Sequence, residues 1–283
     1  MALTLTTIYR YPVKSCRRNE MQEAEVEPWG LAGDRRWMLV DDDGVVVTAR
    51  ERRSLLSVIP ELDGTGLRLH APGRPSLTVK VPEGELAPVT VWSSQLDATP
   101  AAPEAHAWFS EVAGVSLRLV YLDDPRRRRT NPQFGGADDR VTFADGYPLL
   151  LASEASLACL NRWIAEGRRA SDGPLAMTRF RPNVVVGGAA PWAEDGWRRL
   201  RIGDVTFRAV KGCDRCVMTM IDPETLTTTK EPIATLARYR RWDGATWFGM
   251  NLIPDRVAAG ATIRVGDPVE ISEEVEALDG PPR

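Results

Sequence analysis

The chain has 283 residues, 43% of them hydrophobic, enough for one large core or two smaller ones. Its formal net charge of −3 removes the global electrostatic case for a nucleic-acid polymer as partner. No apolar run approaches the roughly 20 residues that span a bilayer, the start reads as a strand rather than a signal peptide, and four cysteines are too few for a disulfide scaffold, so no membrane association and a reducing cytoplasm are expected.

Beta signals dominate the first part. Residues 3–9 alternate as a strand, and 36–40 and 45–48 flank Asp41-Asp-Asp-Gly44 as a hairpin. Short strands are predicted at 66–70, 76–81 and 88–92, a helix at 102–112 and a closing strand at 117–121. Residues 123–140 are polar and carry Arg126-Arg-Arg-Arg129, which reads first as a solvated loop and otherwise as a phosphate-binding or docking element. Ser153 is a candidate N-cap for a helix to about 167, with Leu157, Leu160 and Trp163 on one face. Residues 183–186 read as a buried strand, 200–202 and 205–210 as a hairpin around Gly203-Asp204, and 217–221 as another strand. Pro232 opens a short basic helix to 240, strands follow at 246–253, 262–265 and 269–272, and an acidic, frayed tail begins at Glu273. The sum is a strand-rich α+β chain in two parts.

Chemistry concentrates at Lys211-Gly-Cys-Asp-Arg-Cys216, where two cysteines stand beside two cations. A thiolate is the form of cysteine that binds metals and attacks electrophiles, and nearby cations favour it. A zinc site lacks ligands, because only His70 and His106 are present and Cys16 and Cys159 stand apart. Dithiol exchange normally opens a helix, whereas an apolar run follows here. One thiolate on a soft metal, and two small buried residues without chemistry, both stay open on spacing alone.

The run Cys213-Asp-Arg-Cys216-Val-Met-Thr-Met-Ile-Asp-Pro-Glu-Thr225, followed by Lys230-Glu-Pro232 and Phe248-Gly-Met-Asn251, resembles the MOSC domain of molybdenum-cofactor sulfurases. Phe180-Arg-Pro-Asn183 and Val265-Gly-Asp-Pro-Val269 extend the likeness. Upstream, Tyr11-Pro-Val-Lys-Ser15 and Gly33-Asp-Arg-Arg-Trp37 resemble the β-barrel domain that precedes MOSC in the amidoxime-reducing group. The resemblance implies an N-terminal β-barrel-like domain at 1–122, a linker or loop at 123–145, a MOSC β-barrel with peripheral helices at 146–275 and a flexible tail at 276–283. It implies a bound molybdenum cofactor, Mo-molybdopterin, with Cys216 as the metal ligand and Cys213 a packing neighbour. Lys14, Ser15, Arg35, Arg181, Asn183 and Arg215 are the expected cofactor contacts, with arginine forks suited to phosphate and Asn183 able to read the pterin edge. Asp145 is the expected catalytic carboxylate, delivering or relaying protons, with Arg50 behind it. Asp222 is read as a turn anchor.

The activity so implied is two-electron oxygen-atom abstraction from small N-hydroxylated substrates: amidoximes, hydroxylamines and N-hydroxylated bases. The last cysteine is Cys216, so no iron–sulfur ligand set follows it. A separate donor is therefore expected: a ferredoxin, a flavin reductase or a cytochrome b5-like protein. The other reading is a sulfur carrier that holds a persulfide on Cys216 for metal–sulfur centre assembly.

Overall fold

The computed structural model describes residues 2–277 and 280–281. Its largest sheet runs Val269–Glu274, Trp197–Ile202, Val205–Asp214, Ala245–Pro254, Leu149–Ser153, Val184–Gly187, Thr4–Arg10 and Asn19–Met21, with Arg241–Trp242 paired to Ala245–Pro254. Its neighbours pair antiparallel except Leu149–Ser153 with Val184–Gly187. That parallel pair needs a crossover, which contains the helix Glu154–Ala165. Leu5, Ile8, Leu151, Val184, Phe207 and Leu252 bury their inward faces together, each contributing roughly 1.5–3 kcal/mol.

The two ends of the chain share this layer. Thr4–Arg10 lies beside Val184–Gly187, and Glu23–Glu27 pairs with Thr262–Arg264. The boundary expected at 122 is thus one of sequence, not of strand pairing. Residues 37–121 form a second body. Trp37–Val40, Arg118–Tyr121, Ser94–Pro100 and Ala87–Val91 make one sheet, and Ile59–Leu62, Gly66–His70 and Leu77–Lys80 another. The helix Pro103–Ala113 packs Ala105, Trp108 and Phe109 into the core that holds Trp37, Leu39 and Leu67.

Several expectations change. Residues 217–221 do not continue a strand: Val217–Met220 is a 3-10 turn. Ile221, just after the turn, lies within the second body's core and Met218 packs against it, while Val217 is exposed. The segment 123–145 is no free linker, because Arg128 is buried and donates to the carbonyls of Thr142, Ala144 and Asp145, the last at 2.9 Å. Of the arginine run only Arg126 and Arg129 are exposed. Glu273 and Glu274 belong to a strand rather than to a frayed tail, and part of 276–283 lies outside the described residues. Ser153 is the N-cap residue of its helix, yet its hydroxyl makes no capping bond. The strand Ser94–Pro100, unmarked by the sequence pattern, forms a hairpin with Ala87–Val91 across the two residues Trp92-Ser93.

Candidate functional site

The strand Val205–Asp214 alternates buried and half-buried residues up to Val210. Its pairing with Ala245–Pro254 then shifts register twice, between Ala209 and Lys211 and between Gly212 and Asp214. Bulges re-aim side chains and occur near active sites. Gly249 permits the close approach on the facing strand: its φ is +83°, and a Cβ there would stand 2.6 Å from the Leu151 carbonyl oxygen. Beyond the bulges Lys211, Cys213, Arg215 and Cys216 line one cavity of about 870 Å³.

The four cysteines separate cleanly. Cys16 and Cys159 are buried in the interior, and burial pushes the Cys16 thiol up to about 12. Cys213 and Cys216 are half-buried at the cavity wall. Cys213 is more than a packing neighbour: Arg215 Nη1 donates to its Sγ at 2.8 Å. Burial raises the Cys213 thiol, and Arg215 opposes that rise. Arg215 Nη2 donates to Phe180 O at 2.8 Å, while its Nε is buried without a partner.

Every expected site residue lines this cavity: Lys14, Ser15, Arg35, Asp145, Arg181, Asn183, Arg215 and Cys216. Asn183 is almost fully committed to the wall. Its Oδ1 accepts from Arg35 Nη1 at 2.8 Å and from Leu150 N at 3.2 Å, and its Nδ2 donates to Tyr9 O. An amide has two acceptor positions and two donors, so one N–H is left over. Arg35 also donates to Asp34 at 2.6 Å, and both Arg35 and Arg181 lie over the Tyr11 ring. Arg181 Nη2 donates to Cys16 O at 2.9 Å. Asp222 anchors its turn through the amides of Glu224 and Thr225 and pairs with Arg179.

Lys14 and Asp145 form the charged centre. Lys14 Nζ donates to Phe143 O at 2.8 Å and to Asp145 Oδ1 at 2.5 Å. Burial pushes the Lys14 ammonium down to about 8, against the attraction of Asp145. The Asp145 side chain is 65% exposed at the mouth. Its enclosure opposes ionisation, but Lys14, Arg50 and Arg35 outweigh that and hold it below the usual carboxylate range. Asp145 is therefore an ionised acceptor at neutral pH, not a reservoir of protons.

Backbone strain gathers in the same walls. Among the described residues eight non-glycines have positive φ, and four of them line the cavity: Ser15, Arg35, Trp92 and Arg181. Such residues cost of order 1–3 kcal/mol and persist where surrounding structure over-determines them, often at functional sites. Two contributors escaped the sequence reading. Arg128 ties the Asp145 loop through backbone carbonyls, and Trp92 sits on a hairpin tip. An arginine in an arginine run and a tryptophan in a two-residue turn carry no motif.

Residues 2–116 match the MOSC N-terminal beta barrel domain, and residues 138–270 match the MOSC domain. Mitochondrial amidoxime reducing component 2 of Rattus norvegicus is 33% identical over 94% of this chain and 82% of its own length. Mitochondrial amidoxime-reducing component 1 of Homo sapiens is 32% identical over the same shares. The chain belongs to the MOSC family. Molybdenum cofactor sulfurase of Oryza sativa subsp. japonica is 31% identical over 95% of this chain, which spans 36% of that longer protein. For this MOSC protein the strand-rich fold with its N-terminal β-barrel domain stands as expected from the sequence.

The cavity residues fit a molybdenum–pterin group. Nine basic residues face two acidic ones, Asp145 and Asp214. Arg50 Nε, Arg215 Nε, Thr130 Oγ1 and Tyr147 Oη are buried and unpaired among the described residues that line it. Among the described residues no three His, Cys, Asp or Glu side chains stand together to hold a metal. No helix among the described residues is long and apolar enough to cross a membrane.

Proposed function

We propose that this protein is a molybdenum-cofactor-dependent reductase of N-hydroxylated compounds. The observation that carries this reading is the half-buried Cys216 thiol opening into a cavity walled by nine basic residues. A thiolate is a soft ligand suited to such a metal. Arg181, Arg215 and Ser15 line the same cavity, and on this reading they hold the anionic end of the cofactor, with guanidinium forks suited to phosphate. When bound, the cofactor supplies the two-electron chemistry that removes an N-bound oxygen.

The chain's own part is ligation, orientation and protons. Lys14 Nζ donates one N–H to Phe143 O and another to Asp145 Oδ1. Its lowered pKa of about 8 lets it surrender a proton near neutral pH more readily than an exposed lysine. Asp145 steadies the ammonium and accepts hydrogen bonds. Electrons come from a separate donor protein.

The test is molybdenum and pterin content of the purified protein, then reduction of a model amidoxime with an artificial donor. Stoichiometric metal and turnover, both lost in Cys216→Ala, are expected. Protein without molybdenum that carries sulfane sulfur on Cys216 would overturn the reductase in favour of a sulfur carrier.

A further inference from the structure

Trp92 has no part in metal ligation, cofactor contacts or proton delivery, yet it is costly where it stands. It occupies the first position of a two-residue hairpin turn at φ 54°. That is a left-handed conformation which turns of this kind usually give to Asn, Asp or Gly. Its side chain is not bought by burial, since the residue is 39% exposed. It lines the cavity, and its Nε1 donates to Asp145 Oδ1 at 3.3 Å. The Arg50 guanidinium lies 4.5 Å from its ring centroid and Lys14 Nζ 5.2 Å. A strained, half-exposed indole is thus held in place by a carboxylate and two cations.

Asp145 has bonding capacity to spare beside this ring. Among the described residues Oδ1 serves Lys14 and Trp92, whereas Oδ2 meets only Arg50 Nη2, at 3.4 Å. An ionised carboxylate offers about four acceptor sites. The mouth therefore presents an aromatic surface next to an open acceptor. The excess of basic residues in the wall disfavours a cation.

We propose that Trp92 and Asp145 form a substrate-orienting shelf, selecting neutral, planar N-hydroxylated groups with N–H or O–H donors over non-planar hydroxylamines. The planar group stacks on the indole, and its donor bonds to Asp145 Oδ2. Trp92 is a positioning residue that sets specificity without entering the chemistry. This rests on the reductase reading for its substrate class, but its test needs no turnover.

Calorimetric binding of benzamidoxime and of N,N-diethylhydroxylamine, without electron donor, decides it. The unaltered protein is expected to bind benzamidoxime at least roughly tenfold more tightly. Trp92→Ala should bring the two ligands within about twofold, and Trp92→Phe should restore most of the preference, since a phenyl ring still stacks. No preference in the unaltered protein, an unchanged preference in Trp92→Ala, or failure of Trp92→Phe to restore it overturns the shelf. The ratio between ligands moves only if the ring recognises one of them, so a general loss of packing does not imitate it. A Trp92-dependent preference in protein whose turnover ignores Cys216→Ala would sink the reductase reading and leave the shelf standing.

Discussion

Two charged clusters, one open to solvent and one enclosed, can be set side by side. One is Lys14–Asp145 at the cavity. The other is Arg240–Asp195, with Glu194 and Ser156, beneath the helices of the C-terminal half. Both carry a short ion pair, 2.5 Å in the first and 2.6 Å in the second. In the second both partners are buried, Arg240 also lies over Trp192 and Trp242, and Ser156 donates to Glu194 at 2.8 Å. That cluster is shut off from solvent, and among the described residues Glu194 Oε1 is left without a partner. In the first the lysine is buried but the carboxylate reaches solvent with an acceptor to spare. A buried ion pair alone is weak evidence of function; an open mouth, where a ligand can reach the spare acceptor, distinguishes the site.

Breaking the closed cluster should cost the most stability. Arg240→Ala leaves Asp195 buried and unpaired, and is expected to lower unfolding free energy by roughly 3–5 kcal/mol in urea titration. Purified Arg240→Ala protein that folds should still show the benzamidoxime preference, because the cavity keeps its walls.

Breaking the open cluster should cost activity instead. Lys14→Met is expected to slow reduction by about a hundredfold, the lower range for loss of a positioned acid. In the unaltered enzyme the rate should fall as pH rises through about 8, because the protonated ammonium is the donor form. A pH–rate profile of loaded protein checks both, and a flat profile across pH 7–9 would remove Lys14 from proton delivery.

A smaller effect sharpens the contrast from the closed side. Burial pushes the Glu194 carboxyl up to about 7. The folded state then holds a proton that the unfolded state releases near pH 4.5, so stability falls as pH rises through about 7. Glu194→Gln should remove that slope and gain about 1–3 kcal/mol at pH 8. Unfolding curves of both proteins at pH 6 and pH 8 measure it.

Much of the site was legible because motif order carried it. Lys14, Arg35, Arg181 and Asn183 come from distant segments, and their motifs placed them together before any geometry. What those side chains do was less legible. Asn183 turned out to be bonded on three sides, and Asp145 to be held below the usual carboxylate range, its burial outweighed by Lys14, Arg50 and Arg35. Neither follows from residue type, because both depend on which carbonyls and cations arrive from elsewhere in the chain. The turn at 217–220 misled for a related reason. An apolar run of five has the same composition as a strand or as a plug for another core, and Ile221 is the latter.

Taken alone, the chain's alternation and its Gly and Pro punctuation marked many of the strands, though not Glu23–Glu27 or Ser94–Pro100. They also placed a C-x-x-C among cations. Only the tertiary structure decided the partners. A period-two pattern specifies a face and says nothing of the neighbour, so it could not announce that Thr4–Arg10 joins Val184–Gly187. Nor could it show that two register shifts beside Gly249 turn Cys213 and Cys216 into one cavity with Trp92. Pairing depends on contacts between residues far apart in sequence, and the site is the product of that pairing.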